Sequence, residues 1–209
     1  MPKIKLPTKS PHVDMTPMVD LFSLLLTFFM LTATIRPQEP APVDIPLSIS
    51  EKTAPDKDYM TVVLSKDDRV FFTVDNGDTS QHFRAKLLMA MGKHYNVPFT
   101  QEEVENFEKN PGSFGVSMSN MKKYLDADNP KERQALQTGM PIDSTDDQLA
   151  MWILYTRQIN PDVQTCIKGD GDATFPLVKK VLDILQDKNV NRFNLITNLE
   201  KVEVKENAQ

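Results

Sequence analysis

Met15-Thr16-Pro17-Met18-Val19-Asp20-Leu21-Phe22-Ser23-Leu24-Leu25-Leu26-Thr27-Phe28-Phe29-Met30-Leu31-Thr32-Ala33-Thr34-Ile35 is a run of twenty-one residues with one formal charge. As a helix, a run of this length spans a hydrocarbon core of about 30 Å. A transmembrane helix over residues 15–35 is therefore expected. A cleaved signal peptide is the first alternative, since Lys3, Lys5 and Lys9 precede the apolar stretch. Against it stand an aspartate at the start of the run and a poor small-residue cleavage site at Thr32-Ala33-Thr34. A buried helix of a soluble protein comes third, because Leu and Phe all round a helix suit lipid better. Three lysines before the run, with Arg36, Glu39 and Asp44 after it, place residues 1–14 in the cytoplasm and the rest of the chain outside.

At about 100° per residue, Thr16, Asp20, Ser23, Thr27 and Thr34 fall in a sector about 60° wide, while Leu and Phe occupy most of the remaining circumference. A carboxylate placed among lipid-facing residues costs several kcal/mol if ionised and unpaired. It is expected to face protein or water, with a proton affinity raised enough for exchange. Asp20 is thus a proton-carrier candidate. The plainer possibilities are that it reaches headgroup water or caps the helix start. Pro17 either sits harmlessly in the first turn or kinks a helix that began earlier.

The basic N-terminus, Thr16-Pro17-Met18-Val19-Asp20 and the Leu/Phe run that follows resemble the ExbD/TolR family. Val43-Asp44-Ile45-Pro46-Leu47-Ser48 resembles the extended segment after the family's membrane helix. Cys166-Ile167-Lys168-Gly169-Asp170, residues 175–185 and Phe193-Asn194-Leu195-Ile196-Thr197 are similar to its closing strand, helix and strand. Residues 85–162 are longer than that family leads one to expect and have no counterpart in this comparison.

The resemblance implies a proton-motive-force-coupled motor or stator subunit of an inner-membrane complex of the ExbB–ExbD or TolQ–TolR type. Such a complex energises TonB-dependent outer-membrane transport, with Asp20 as the proton carrier and protons as the coupling ion. It implies ExbB/TolQ-like multi-helix membrane subunits as partners, a TonB- or TolA-like transducer, and self-association as a dimer. Membrane lipid is a further partner, and a cell-wall polymer is a candidate one. Val43, Asp44, Ile45 and Pro46 form a candidate linker strand, open to pairing either with a partner or with the domain's own sheet edge. The competing function is a membrane-anchored periplasmic binding or scaffolding module with no proton role.

The fold expected is a single N-terminal transmembrane α-helix plus an extracytoplasmic α/β (α+β) domain with a small sheet, packed helices and a long helical insertion. The N-terminus is cytoplasmic (1–14), the membrane helix covers 15–35, and a Pro-rich periplasmic linker follows at 36–58. The periplasmic domain then covers 59–209, with the insertion at about 96–160. The linker carries prolines at 37, 40, 42, 46 and 55 and reads as partly polyproline.

Residues 59–65 and 69–74 alternate as a hairpin closed by Asp75-Asn76-Gly77-Asp78. Helical spacing covers 80–95, and Thr100-Gln101-Glu102-Glu103 has capping-box form before a helix that Asn110-Pro111-Gly112 ends. Short helices are expected at 117–127 and 130–138. After Ser144-Thr145-Asp146-Asp147 a stronger one runs through Leu149, Trp152, Ile153, Tyr155 and Ile159 to Asn160-Pro161. A strand at 163–168, a helix at 175–187, a strand at 192–197 and a last strand at 201–205 complete the expectation.

Composition narrows the classes further. Twenty-four Lys plus Arg against 29 Asp plus Glu, with no basic run, argues against nucleic acid. The single cysteine, Cys166, excludes an intramolecular disulfide and a cysteine-based zinc site, and reads as a buried thiol. Lys168-Gly169-Asp170-Gly171-Asp172 lacks the ligand run of a calcium loop and reads as a turn and helix cap. His12, His82 and His94 are scattered, so no metal site is expected, no catalytic site, and no enzyme.

Overall fold

The computed structural model describes residues 15–32, 39–48, 55, 57–75, 81–127, 129–143 and 146–199. Two units make up the chain, one ending at Arg36 and the other starting at Pro37.

The first unit contains α1 (Thr16–Thr32). Its first intrahelical bond runs from the Val19 N–H to the Met15 carbonyl, 3.0 Å. Pro17 therefore sits in the first turn, where a missing N–H costs nothing. No residue of α1 is buried. Seventeen residues rise about 26 Å, and among the described residues no helix is long and apolar enough to cross a membrane. The helix expected over 15–35 is thus seen over 16–32, and residues 33–35 lie outside the described residues.

The second unit is a mixed α/β fold. β1 (Leu47–Ser48) pairs in parallel with β8 (Asn198–Leu199). The main sheet has the order β3-β2-β6-β7, from β2 (Tyr59–Leu64), β3 (Val70–Val74), β6 (Gln164–Gly169) and β7 (Asn194–Ile196). β2 and β3 form the antiparallel hairpin, whereas β2–β6 and β6–β7 are parallel. Parallel neighbours need a crossover, which α7 (Phe175–Asp187) supplies between β6 and β7.

Between β3 and β6 lie α2 (Phe83–His94), α3 (Gln101–Lys109), α4 (Met121–Asp126), α5 (Pro130–Leu136), a short ladder of β4 (Ile142–Asp143) with β5 (Asp146–Asp147), and α6 (Gln148–Ile159). At the start of α3, Thr100 accepts from the Glu103 N–H at 3.3 Å while the Glu103 carboxylate accepts from the Thr100 N–H. This is the reciprocal cap that the sequence predicts. α6 is capped by Asp147, whose carboxylate accepts from the Ala150 N–H at 3.0 Å.

Strand alternation sends Met60, Val62, Leu64, Val70, Phe72 and Val74 to one face, where helices cover them with Leu87, Leu88, Met91, Phe107, Trp152 and Val181. Trp152 is fully buried among the rings of Phe72, Phe107 and Phe114 at 5.0–6.1 Å. Arg84 on α2 is also fully buried. Its Nη1 donates to the Val74 carbonyl at 2.7 Å, Nη2 to Asn110 at 2.8 Å and Nε to Phe107 at 3.3 Å. The guanidinium lies 4.4 Å from the Phe107 ring centroid. One side chain thus ties α2 to the end of β3 and to the end of α3.

The stretch expected as an extended linker is seen in part, and its residues 39–48 lie against the domain. Ala41 is buried with Val63 and Phe71 on the sheet face opposite the helices, and Val43 packs on the same cluster. The strand expected at 201–205, the turn residues 76–78 and Ser144-Thr145 lie outside the described residues.

Candidate functional site

Two places take up the residues that the sequence singles out. The first is the polar side of α1. Thr16, Asp20, Ser23 and Thr27 recur at intervals of four, three and four along a continuous helix, so they share one face. All four are exposed. Around them Leu21, Phe22, Leu24, Leu25, Leu26, Phe28 and Phe29 are also exposed among the described residues.

Two hydroxyls of α1 are engaged with its own backbone. Thr27 Oγ1 donates to the Leu24 carbonyl at 2.9 Å, and Thr32, off the face, donates to Phe28 at 2.9 Å. The protons of Thr27 and Thr32 thus serve the helix's own backbone, a habit of this residue in helices. Their oxygens remain acceptors. Thr34, the last member of the expected seam, lies outside the described residues.

The second place is the seat of residues 39–48. The Asp44 N–H donates to Asp170 Oδ2 at 3.1 Å, and the Asp44 carbonyl accepts from the Gly171 N–H at 3.0 Å. The other oxygen of Asp170 accepts from the Asp172 N–H at 3.0 Å, closing an Asx turn. Lys168 Nζ lies 2.7 Å from Glu39. That pair is partly exposed on the Glu39 side, and such pairs contribute little on their own. Leu47 and Ser48 then run beside Asn198 and Leu199. Of the four linker-strand candidates, Val43 packs on the sheet and Asp44 is bonded at both backbone groups. Ile45 is half-buried and Pro46 exposed.

The Asp172 and Asp44 N–H groups hold the Asp170 carboxyl below the ordinary carboxylate range. A carboxyl whose folded value is lowered contributes stability that is present above the unfolded value and lost as pH falls through the folded one. Docking of residues 39–48 is therefore expected to weaken on acidification below about pH 4. At neutral pH, Asp170→Ala is expected to speed amide exchange at Asp44 by about tenfold, the scale of one hydrogen bond to a charged acceptor. Hydrogen exchange read residue by residue checks both.

Asp170 was legible only as a turn residue, because no local pattern reports a partner 126 positions away. Cys166 is fully buried in the middle of the sheet, and burial pushes its thiol pKa up. His82 pairs with Glu108 at 2.9 Å and His94 with Tyr155 at 3.2 Å, so these two serve separate local contacts. His12 lies outside the described residues.

A family model described as ExbD, biopolymer transport protein ExbD/TolR, matches residues 7–200. The match runs through residues 85–162, the stretch for which the motifs alone offered no counterpart. No curated protein and no solved structure matches the chain.

Proposed function

The chain belongs to the biopolymer transport protein ExbD/TolR family, and from that premise we propose that it is the proton-coupled subunit of an inner-membrane complex energising TonB-dependent outer-membrane transport. The family is inner-membrane-anchored and transport-associated, its members are in general not enzymes, and they work with ExbB- or TolQ-type subunits and with TonB or TolA.

In the proposal, residues 15–35 are the membrane anchor, with α1 as its described part. The N-terminus is cytoplasmic and the domain periplasmic. Two copies of the helix pack inside a ring of multi-helix subunits, which covers the exposed Leu and Phe residues. Asp20 takes up a proton from one side and releases it to the other. When protonated the carboxyl is neutral and tolerates an apolar wall; when ionised it needs water or a partner. That difference lets a proton gradient drive relative motion of helix and ring. Both backbone groups of Asp44 are spent on Asp170 and Gly171, so residues 43–46 meet a transducer only on leaving that seat, by the backbone pairing that extended segments offer.

The observation that carries the proposal is the motif Thr16-Pro17-x-x-Asp20 at the start of a helix that puts Thr16 and Asp20 on one face with Ser23 and Thr27, amid a largely apolar circumference. Complementation tests it. Cells lacking this chain are expected to lose energised outer-membrane uptake and to regain it with the intact chain, and a protonophore is expected to abolish the regained uptake. Uptake that is indifferent to the chain would refute the assignment.

A further inference from the structure

β3 stands at the end of the main sheet, and an end strand presents a row of unpaired backbone groups to other chains. Here four backbone groups of that row are engaged. The Val70 carbonyl accepts from the Met140 N–H at 2.8 Å. Phe72 exchanges both of its bonds with Phe114, each 2.8 Å. The Val74 carbonyl accepts from Arg84 Nη1 at 2.7 Å, and the Thr73 hydroxyl donates to the Pro111 carbonyl at 3.1 Å.

The covering segment is stitched to itself as well. The Gly139 N–H donates to the Gly115 carbonyl at 2.9 Å, and the Gly115 N–H donates to Gln137 Oε1 at 3.1 Å. Both glycines are required by geometry. Gly139 has φ +103°, a region that favours glycine. A Cβ on Gly115 would lie 2.5 Å from Phe71 Cδ1 and 2.9 Å from the Val70 carbonyl.

The strand under this cover reads Val70-Phe71-Phe72-Thr73-Val74. It has no charge, no proline and no glycine, and every residue is β-branched or aromatic. That composition pairs readily with a copy of itself when exposed. The devices that usually blunt an end strand, a lysine, a proline or an inward charge, are missing from it. We infer that residues 111–115 and 137–140, with Arg84, are an edge guard, and that what it excludes is antiparallel pairing with the same strand of a second copy. The insertion thereby closes this side of the sheet to backbone partners.

The test uses the full chain in detergent. In the parent, the Phe72 and Phe114 amides are expected to exchange slowly and together. Two variants open the guard by different means. Gly115→Ala pushes the segment off Phe71, and Met140→Pro removes the N–H given to Val70. Each is expected to raise Phe72 exchange at least about tenfold and to make the protein associate above the parent's state as concentration rises. Retained protection of the β6 amides reports that the domain is folded. Adding Thr73→Lys, a charge on the opened strand, is expected to restore the parent's association state. The inference is overturned by free Phe72 exchange in the parent, by unchanged exchange in both variants, by faster exchange without association, or by association that Thr73→Lys leaves in place.

Discussion

Asp20→Asn is expected to reduce energised uptake by at least about a hundredfold, the scale on which a positioned proton-transfer group acts, while leaving the amount of protein in the membrane unchanged. Asparagine keeps the size of the side chain and an acceptor oxygen and removes its ability to ionise and so to take up and release a proton. A carboxylate that merely set the depth of α1 or helped it assemble would tolerate this change. Co-purification of the variant with a multi-helix partner subunit, measured beside uptake, separates the two cases. Lost uptake with retained partner binding supports the proton role. Retained uptake would leave the chain as an anchored binding module. Asp20→Glu, which keeps the proton and lengthens the arm, is expected to retain a fraction of the activity.

The largest effect on stability is expected at Arg84. Its Nη1, Nε and Nη2 donate to the carbonyls of Val74, Phe107 and Asn110 respectively, and its plane lies over the Phe107 ring. Taking a guanidinium this far from water is costly, and burial lowers its pKa to about 10. The carbonyls and the ring offset that cost only while they stay in place. Arg84→Met fills much of the volume but leaves the carbonyls without these donors, and a stranded acceptor costs about 1–3 kcal/mol. A loss of about 3–5 kcal/mol is therefore expected, read as a lower denaturant midpoint with an unchanged slope. Arg84→Lys keeps a charge but not the planar fork, and an intermediate loss is expected.

Most of the elements could be read locally because each carries its own signal. The helix at 175–187 shows in the apolar spacing of Leu177, Val181, Ile184 and Leu185. The Thr100 cap shows in four adjacent residues, and the hairpin of β2 with β3 in alternation broken by Lys66-Asp67-Asp68. What the sequence did not disclose depends on contacts distant along the chain. The prolines at 40, 42 and 46 read as an extended segment open to pairing with a partner or with the domain itself, and nothing near Asp44 signals Asp170 and Gly171, which hold it at both backbone groups. The β1–β8 pair and the cover over β3 are hidden for the same reason. Phe114 reads as a loop residue until Phe72 is placed beside it. At the candidate site, the shared face of Thr16, Asp20, Ser23 and Thr27 follows from helical period alone. The engagement of Thr27 with its own backbone does not.

The most direct test of Asp20 as the proton carrier is proton flux itself. The chain and its multi-helix partner are co-reconstituted into vesicles carrying an internal pH dye, and a pH gradient with a counter-ion path is imposed. The intact complex is expected to dissipate the gradient faster than vesicles holding the Asp20→Asn complex at equal protein content, with the variant no faster than the partner alone. Equal flux through the intact and Asp20→Asn complexes would contradict the proton-carrier account.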